Sequence, residues 1–509
     1  MMLTSRRLRN LLTLKADSAK VPANSGTEAA AERMSTPAKG TVAPAERMST
    51  PAEETVAPAD TAWKKEVSVL FKIGVPVMIT QVLQMSMGVV DTIMTGRLSA
   101  ESLGAVAVGN GLLMPLFVLG LGCMMSVTPI VAQHVGARAF HEIGKNARHV
   151  LWLGFILSFP VFFTLRNLDP VFPWIGVTEE LIPISTGYLD AMSWGIFPMF
   201  AYAGLRYFHE GLSVTRPAMF IALTGLLINI AANYVLMYGK LGFPAMGAVG
   251  TGYASSFVAL IMFLLMLIFT INFTPYRRFE IFTKFRLPDP KHLKELLQIG
   301  GPIGLSASME VTLFAVVGLM ISTIGAVEIA GHQIALNVAS LMFMIPFGLS
   351  VAISTRVGNA IGRKRLDLAR FRGRTGILSS TGLMLFTGGF MFLFPVQIAS
   401  IYSSEPDVLA LASQLIIMAA IFQISDGLQV SGYGALRGLK DTSVPMLVNF
   451  FSYWLIGIPT AYYLGTVAGG GPRGMWFGLI AGLSVAAILH NVRFQWMTSP
   501  KQERFKETL

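Results

Sequence analysis

The sequence predicts an all-α, polytopic membrane protein with twelve transmembrane helices in two pseudo-symmetric six-helix lobes. Three observations carry that expectation. Charged residues make up 13% of the 509 residues and hydrophobic ones 53%, with a mean hydropathy of +0.60, whereas soluble domains carry about 25% charge. No single core absorbs so many apolar side chains, so lipid has to be the solvent. Apolar runs recur at a regular pitch, and the membrane region repeats itself.

In chain order, residues 1–62 come first, rich in Ala, Pro, Ser, Thr and Glu and expected to form a disordered low-complexity tail. Within it Ala31-Glu32-Arg33-Met34-Ser35-Thr36-Pro37-Ala38 returns unchanged from Ala45 to Ala52, a step of 14 residues. Arg6, Arg7, Arg9, Lys15 and Lys20 suit either an organelle transit peptide or a basic cytosolic tail. From Trp63 onward the apolar runs span 67–92, 103–132, 147–165, 181–205, 218–238, 248–271, 293–322, 330–355, 374–395, 406–436, 445–465 and 474–495. Each is near or above the roughly 20 residues that cross ~30 Å of hydrocarbon. Backbone amides in lipid must be satisfied within the segment, and barrel-type alternation is absent, so the runs are helices. Pro115, Pro198, Pro346 and Pro459 predict kinks. The expected divisions are an N-terminal lobe at 63–271, a cytoplasmic linker at 272–292, a C-terminal lobe at 293–497 and a cytoplasmic tail at 498–509.

The net charge of +11 is a topology signal rather than a nucleic-acid surface. Loops 137–149, 206–217, 272–295 and 356–374 carry +2, +1, +3 and +6, while 166–180, 323–329 and 396–405 are poor in Lys and Arg. Both termini are therefore expected in the cytoplasm. A single cysteine, Cys123, excludes a disulfide framework and cysteine-based metal clusters.

Ile73-Gly74-Val75-Pro76 aligns with Ile299-Gly300-Gly301-Pro302 at an offset of 226 (74 to 300), which also brings Gly122 onto Gly348 and Gly136 onto Gly362. A register of 227 to 228 pairs Gly211-Leu212 with Gly438-Leu439 and Pro217 with Pro445. Six helices per copy is an even number, so the repeats are parallel, as in a transporter with a cleft between two bundles.

Polar side chains inside the spans are the candidate site. Gln84 and Asp91 share one face of the first span, and a carboxylate there costs about 2.5–3.5 kcal/mol on insertion scales. The offset places Glu310 where the first half has Gln84, and Asp426 lies mid-span in helix ten among Gln423, Ser425, Gln429 and Ser431. With no Lys or Arg expected in those helix interiors, facing acids repel unless a cation or proton sits between them. Asn229 and Asn233, one turn apart, and Thr251 either join such a site or simply bond neighbouring helices. Asp190, near the outer end of span four, is not counted as a site. Gly469-Gly470-Gly471-Pro472-Arg473-Gly474 satisfies a nucleotide-loop pattern but follows no strand. The seven histidines lack metal spacing, and no catalytic set is present, so an enzyme is not expected.

Val89-Val90-Asp91-Thr92-Ile93-Met94-Thr95-Gly96, Gly331-His332-Gln333-Ile334-Ala335-Leu336-Asn337, Leu436-Arg437-Gly438-Leu439-Lys440-Asp441-Thr442 and Asn229-Ile230-Ala231-Ala232-Asn233-Tyr234 resemble the multidrug and toxic compound extrusion family, NorM-like branch, as does the start of span seven with Glu310. The likeness covers about residues 66–497. It implies two lobes around an alternating-access cleft, in the cell inner membrane, that exports drugs and organic cations against Na⁺ or H⁺. The implied chain works as a monomer, with no nucleic-acid partner and no cofactor beyond the coupling ion. Carried over, Glu310 and Asp426 become the coupling-cation ligands, with Na⁺ as a candidate metal ion. Asp91, Asn229, Asn233 and Thr251 become the polar cluster of the first lobe, with Gln84 beside it. Phe422 stands where some relatives carry tyrosine, so a cation–π contact survives there and a hydroxyl ligand does not. A lipid-linked precursor flippase of the same superfamily is the alternative; it would call for a basic cleft.

Overall fold

The computed structural model describes residues 59–273 and 287–500 and, between them, Tyr276, Phe279 and Ile281. The tandem repeat, nearly all of the expected N-terminal tail and residues 501–509 lie outside the described residues. Twelve long helices appear among the described ones: α1 Ala59–Gly96, α2 Ala100–Gly136, α3 Phe140–Leu165, α4 Ile182–Gly211, α5 Arg216–Tyr238, α6 Gly247–Asn272, α7 Pro290–Ser322, α8 Ala326–Gly362, α9 Leu366–Leu393, α10 Pro406–Gly438, α11 Ser443–Val467 and α12 Gly471–Met497. Eleven are long and apolar enough to cross a bilayer. The remaining one, α4, has the length but carries Asp190, Arg206 and Glu210.

Most of the helices outrun the apolar runs that announce them. The expected loops at 137–149, 206–217 and 356–374 are largely helix, reduced to turns at 137–139, 212–215 and 363–365. Lys and Arg lay their aliphatic stems along a helix and hold their charges at headgroup level. Charge therefore marks the bilayer boundary, not the end of the helix.

The turns confirm the repeat in backbone geometry. Arg138 and Lys364, 226 residues apart, adopt left-handed φ of 56° and 58°, and Ser213 and Lys440, 227 apart, adopt 62° and 61°. The surrounding amides follow suit: Ala139 N–H bonds His134 O and Arg365 N–H bonds Ala360 O, while Val214 N–H bonds His209 O and Asp441 N–H bonds Leu436 O. These are Schellman-type closures.

At the end of the bundle that carries the basic turns the two lobes lock together. A Cβ built on Gly122 of α2 would lie 2.1 Å from the Gly304 Cα of α7, and one on Gly136 would lie 2.2 Å from the Asn359 carbonyl oxygen of α8. Only glycine permits so close a backbone approach. Each lobe's second helix also bonds the end of the other lobe's fourth: Gln133 Nε2 donates to Gly438 O at 2.9 Å, and Thr355 Oγ1 donates to Glu210 O at 3.2 Å. Buried Glu66 of α1 accepts a two-pronged bond from Arg356 of α8 and lies 3.5 Å from Arg372 Nε of α9. Across the bundle, Lys145 of α3 faces Asp289 at 3.7 Å. The Lys291 amide, helped by Lys145 and His292, holds the Asp289 carboxyl below its ordinary range, so that contact stays charged until the pH falls well below neutral. Glu66→Gln leaves two arginines without their carboxylate. It is expected to cost about 3 kcal/mol, read as an earlier thermal transition in detergent; an unshifted transition contradicts this.

Candidate functional site

Toward the opposite, base-poor end the lobes separate around a cavity of about 1030 Å³. It reaches that end at Ser322 and Ile329, and its floor holds Met125, Tyr433 and Arg437. The helical period builds its walls: Phe422, Asp426, Gln429, Tyr433 and Arg437 form one stripe of α10, and Glu310, Phe314 and Gly318 one stripe of α7. The structure thus places Glu310, Asp426 and Phe422 on a single cavity. Asp426 is 2% exposed and its Oδ1 has no hydrogen-bond partner among the described residues. Neither acid forms an ion pair among the described residues. Phe422 meets Phe314 and Trp476 edge-on, each at 6.0 Å between centroids, so the acids look out onto an aromatic wall.

The first lobe gathers a second polar group. Asp91 Oδ1 accepts from Asn233 Nδ2 at 2.6 Å and from Asn229 Nδ2 at 3.0 Å, while Oδ2 accepts from Ser255 Oγ at 3.1 Å. Thr95, one turn after Asp91, brings its hydroxyl to 3.4 Å from that of Thr251. Asp91, Asn229, Asn233 and Thr251 therefore sit together. Ser255 and Thr95 were not read as members, although each lies four residues from one, on the same helical face.

Gln84 belongs elsewhere. Its Oε1 accepts from Arg206 Nη1 at 2.7 Å, as does Gln81 Oε1 at 2.6 Å, and Arg206 Nε lies 3.6 Å from Glu210 Oε1. Arg206 is buried in α4 and Arg437 in α10, which corrects the expectation of helix interiors nearly free of basic residues. Both fall just past the apolar runs, inside the extended helices. Arg437 reaches Ser350 Oγ at 2.8 Å and Tyr433's ring face at 5.2 Å, with no carboxylate paired to it among the described residues. Asp190, in contrast, pairs with Arg166 at 3.3 Å near the surface. Among the described residues, no three or more His, Cys, Asp or Glu are grouped to hold a metal ion.

The chain matches the MatE family model twice, over residues 76–235 and 302–463, the two starts again 226 residues apart. It is 40% identical over 437 residues to "Multidrug resistance protein MdtK" of Yersinia enterocolitica, covering 85% of this chain and 96% of that one, and equally to that of Yersinia pestis. Among solved structures it superposes on the eukaryotic MATE transporter AtDTX14 with a TM-score of 0.79 at 19% identity, covering 87% of this chain and 99% of that one. An outward-facing multidrug resistance MATE family transporter superposes with a TM-score of 0.77 at 20% identity, over 86% and 96% of the two chains. With its two matched copies, twelve helices and internal repeat, this multi-pass membrane protein belongs to the MatE family.

Proposed function

We propose that the chain is a secondary antiporter that exports organic cations and other drugs in exchange for an inward monovalent cation, H⁺ or Na⁺. The observation that carries this reading is a pair of carboxylates, Glu310 and Asp426, on one aromatic-walled cavity, neither forming an ion pair among the described residues. The relatives named for multidrug resistance support the substrate class. An aromatic organic cation fits such a wall through its rings and the two wall acids through its charge. The same charge attracts a proton or Na⁺, so the two compete. Phe422 offers no hydroxyl to Na⁺, which favours the proton. The structure represents one of the two states this exchange requires, closed at its glycine seam and open toward the base-poor end. The basic end faces the cytoplasm, with both termini there, in the inner membrane, and each chain carries both lobes and acts as a monomer. Among the described residues lining the cavity Arg437 is the one arginine, which does not make the basic cleft that a lipid-linked precursor flippase needs.

Everted vesicles given external ethidium and energised by a pH gradient or a Na⁺ gradient separately provide the test. Gradient-dependent movement under one of them is expected; none under either overturns the reading.

A further inference from the structure

Beside Asp426, where α10 packs on α11 and α12, the second lobe holds an unusual seam that starts at the drug cavity, which Gln429 and Tyr433 also line. Gln429 Nε2, one turn along α10, donates to Tyr453 OH of α11 at 2.9 Å. Asn449 and Ser452 lie on the same face of α11 as Tyr453, and all three are buried. The π-helical stretch Phe451–Gly457 falls at that level, a departure that recurs at functional sites. Next comes His490 of α12, 0% exposed, its ring stacked on Tyr433 at 5.5 Å. Its Nε2 lies 3.4 Å from Pro445 O, and in the tautomer that donates there Nδ1 carries the lone pair; the ring also meets the Gln429 backbone carbonyl. Beyond His490, one turn along α12, Arg493 pairs with Asp441 at the basic end.

Five buried atoms along this line have no protein partner among the described residues: Asp426 Oδ1, Gln429 Oε1, Ser452 Oγ, Asn449 Oδ1 and His490 Nδ1. Buried polar groups left unbonded by protein are where ordered water resides. The depths form a sequence. Asp426 lies twelve residues before the end of α10, about 18 Å in, while His490 is seven residues before the end of α12, about 10 Å.

We infer that this seam is a proton path through the second lobe, leading from the drug cavity past Ser452 and Asn449, by which the proton taken up at Asp426 leaves at the basic end with His490 as its relay. The inference rests on the antiport reading and commits it to H⁺. The co-reactant is water. A proton leaves the Asp426 carboxyl, crosses water held by Gln429, Ser452 and Asn449, and is taken up at His490 Nδ1. Nε2 then gives its own proton to water beside Asp441, and a half-turn of the ring restores the first tautomer. One proton enters and one leaves. The titratable and charged groups around the ring are Tyr433 and Arg437 of α10, Tyr453 of α11, Arg493 of α12 and Asp441 of the α10–α11 turn. Two routes explain how drug and proton share one acid without sharing one exit.

The test uses the full chain in liposomes with a trapped pH dye, driven by ethidium, and compares wild type with His490→Gln and Tyr453→Phe. The amide introduced by His490→Gln keeps an N–H for the Pro445 carbonyl but does not relay a proton. Ethidium affinity and the thermal transition are expected to be unchanged, while proton movement coupled to ethidium slows about tenfold or more. Wild-type rates in both variants overturn the path and leave the antiport reading standing. Exchange lost only together with ethidium affinity also overturns it, because the seam then merely supports the cavity. Wild type that moves no proton with ethidium overturns the antiport reading, and the path with it.

Discussion

Glu310→Gln and Asp426→Asn are each expected to abolish drug efflux while the protein still accumulates in the membrane. Both substitutions keep side-chain volume and polarity, so the cavity of about 1030 Å³ and its aromatic wall persist; only the charge goes. A ligand shifts a two-state equilibrium only by its difference in affinity for the two states, and swinging 1:99 to 99:1 takes about 5.5 kcal/mol. A neutral amide holds no proton or Na⁺ and supplies none of that difference. Asp190→Asn is the control, since Asp190 pairs with Arg166 near the surface, and it is expected to retain full efflux. Full efflux in both acid variants refutes their role.

The second large effect belongs to the glycine seam. In Gly122→Leu a side chain has to enter space occupied by the Gly304 backbone, 2.1 Å from the built Cβ. Backbone does not yield as a flexible side chain does, so α2 and α7 are held apart at the basic end and the state described here is lost. Efflux is expected to fall to background, and a cysteine at the seam to become reactive toward membrane-impermeant thiol reagents from the basic side. Gly88→Ala and Gly301→Ala, where a Cβ meets nothing within 4 Å, are expected to leave efflux unchanged. Equal activity in Gly122→Leu and Gly88→Ala contradicts the seam as a gate.

The fold was legible because lipid leaves the backbone almost no choice but helix, and because a duplicated sequence shows its duplication. The 226-residue offset, read from Gly74 and Gly300, reappears in the left-handed turns at Arg138 and Lys364. The acids were legible because a carboxylate in hydrocarbon is expensive. Helix ends were not, since hydropathy falls at the headgroups while α4, α8 and α9 continue beyond or begin before them. The same blind spot hid Arg206 and Arg437 inside their helices, and with Arg206 the partner of Gln84. Ser255 had a signal in its one-turn spacing from Thr251. The seam from Gln429 through Ser452 to His490 had none, because it joins three helices whose packing no periodicity specifies.

On the proposed antiport reading, drug and coupling cation compete for the acids of the second lobe, and linkage then requires that each expel the other. The most direct measurement is the uptake or release of H⁺, or of Na⁺, when ethidium binds the purified protein at fixed pH. Release of one of these cations is expected from wild type, and none from the Glu310→Gln, Asp426→Asn double variant. Ethidium binding that displaces neither cation from wild type contradicts the exchange mechanism.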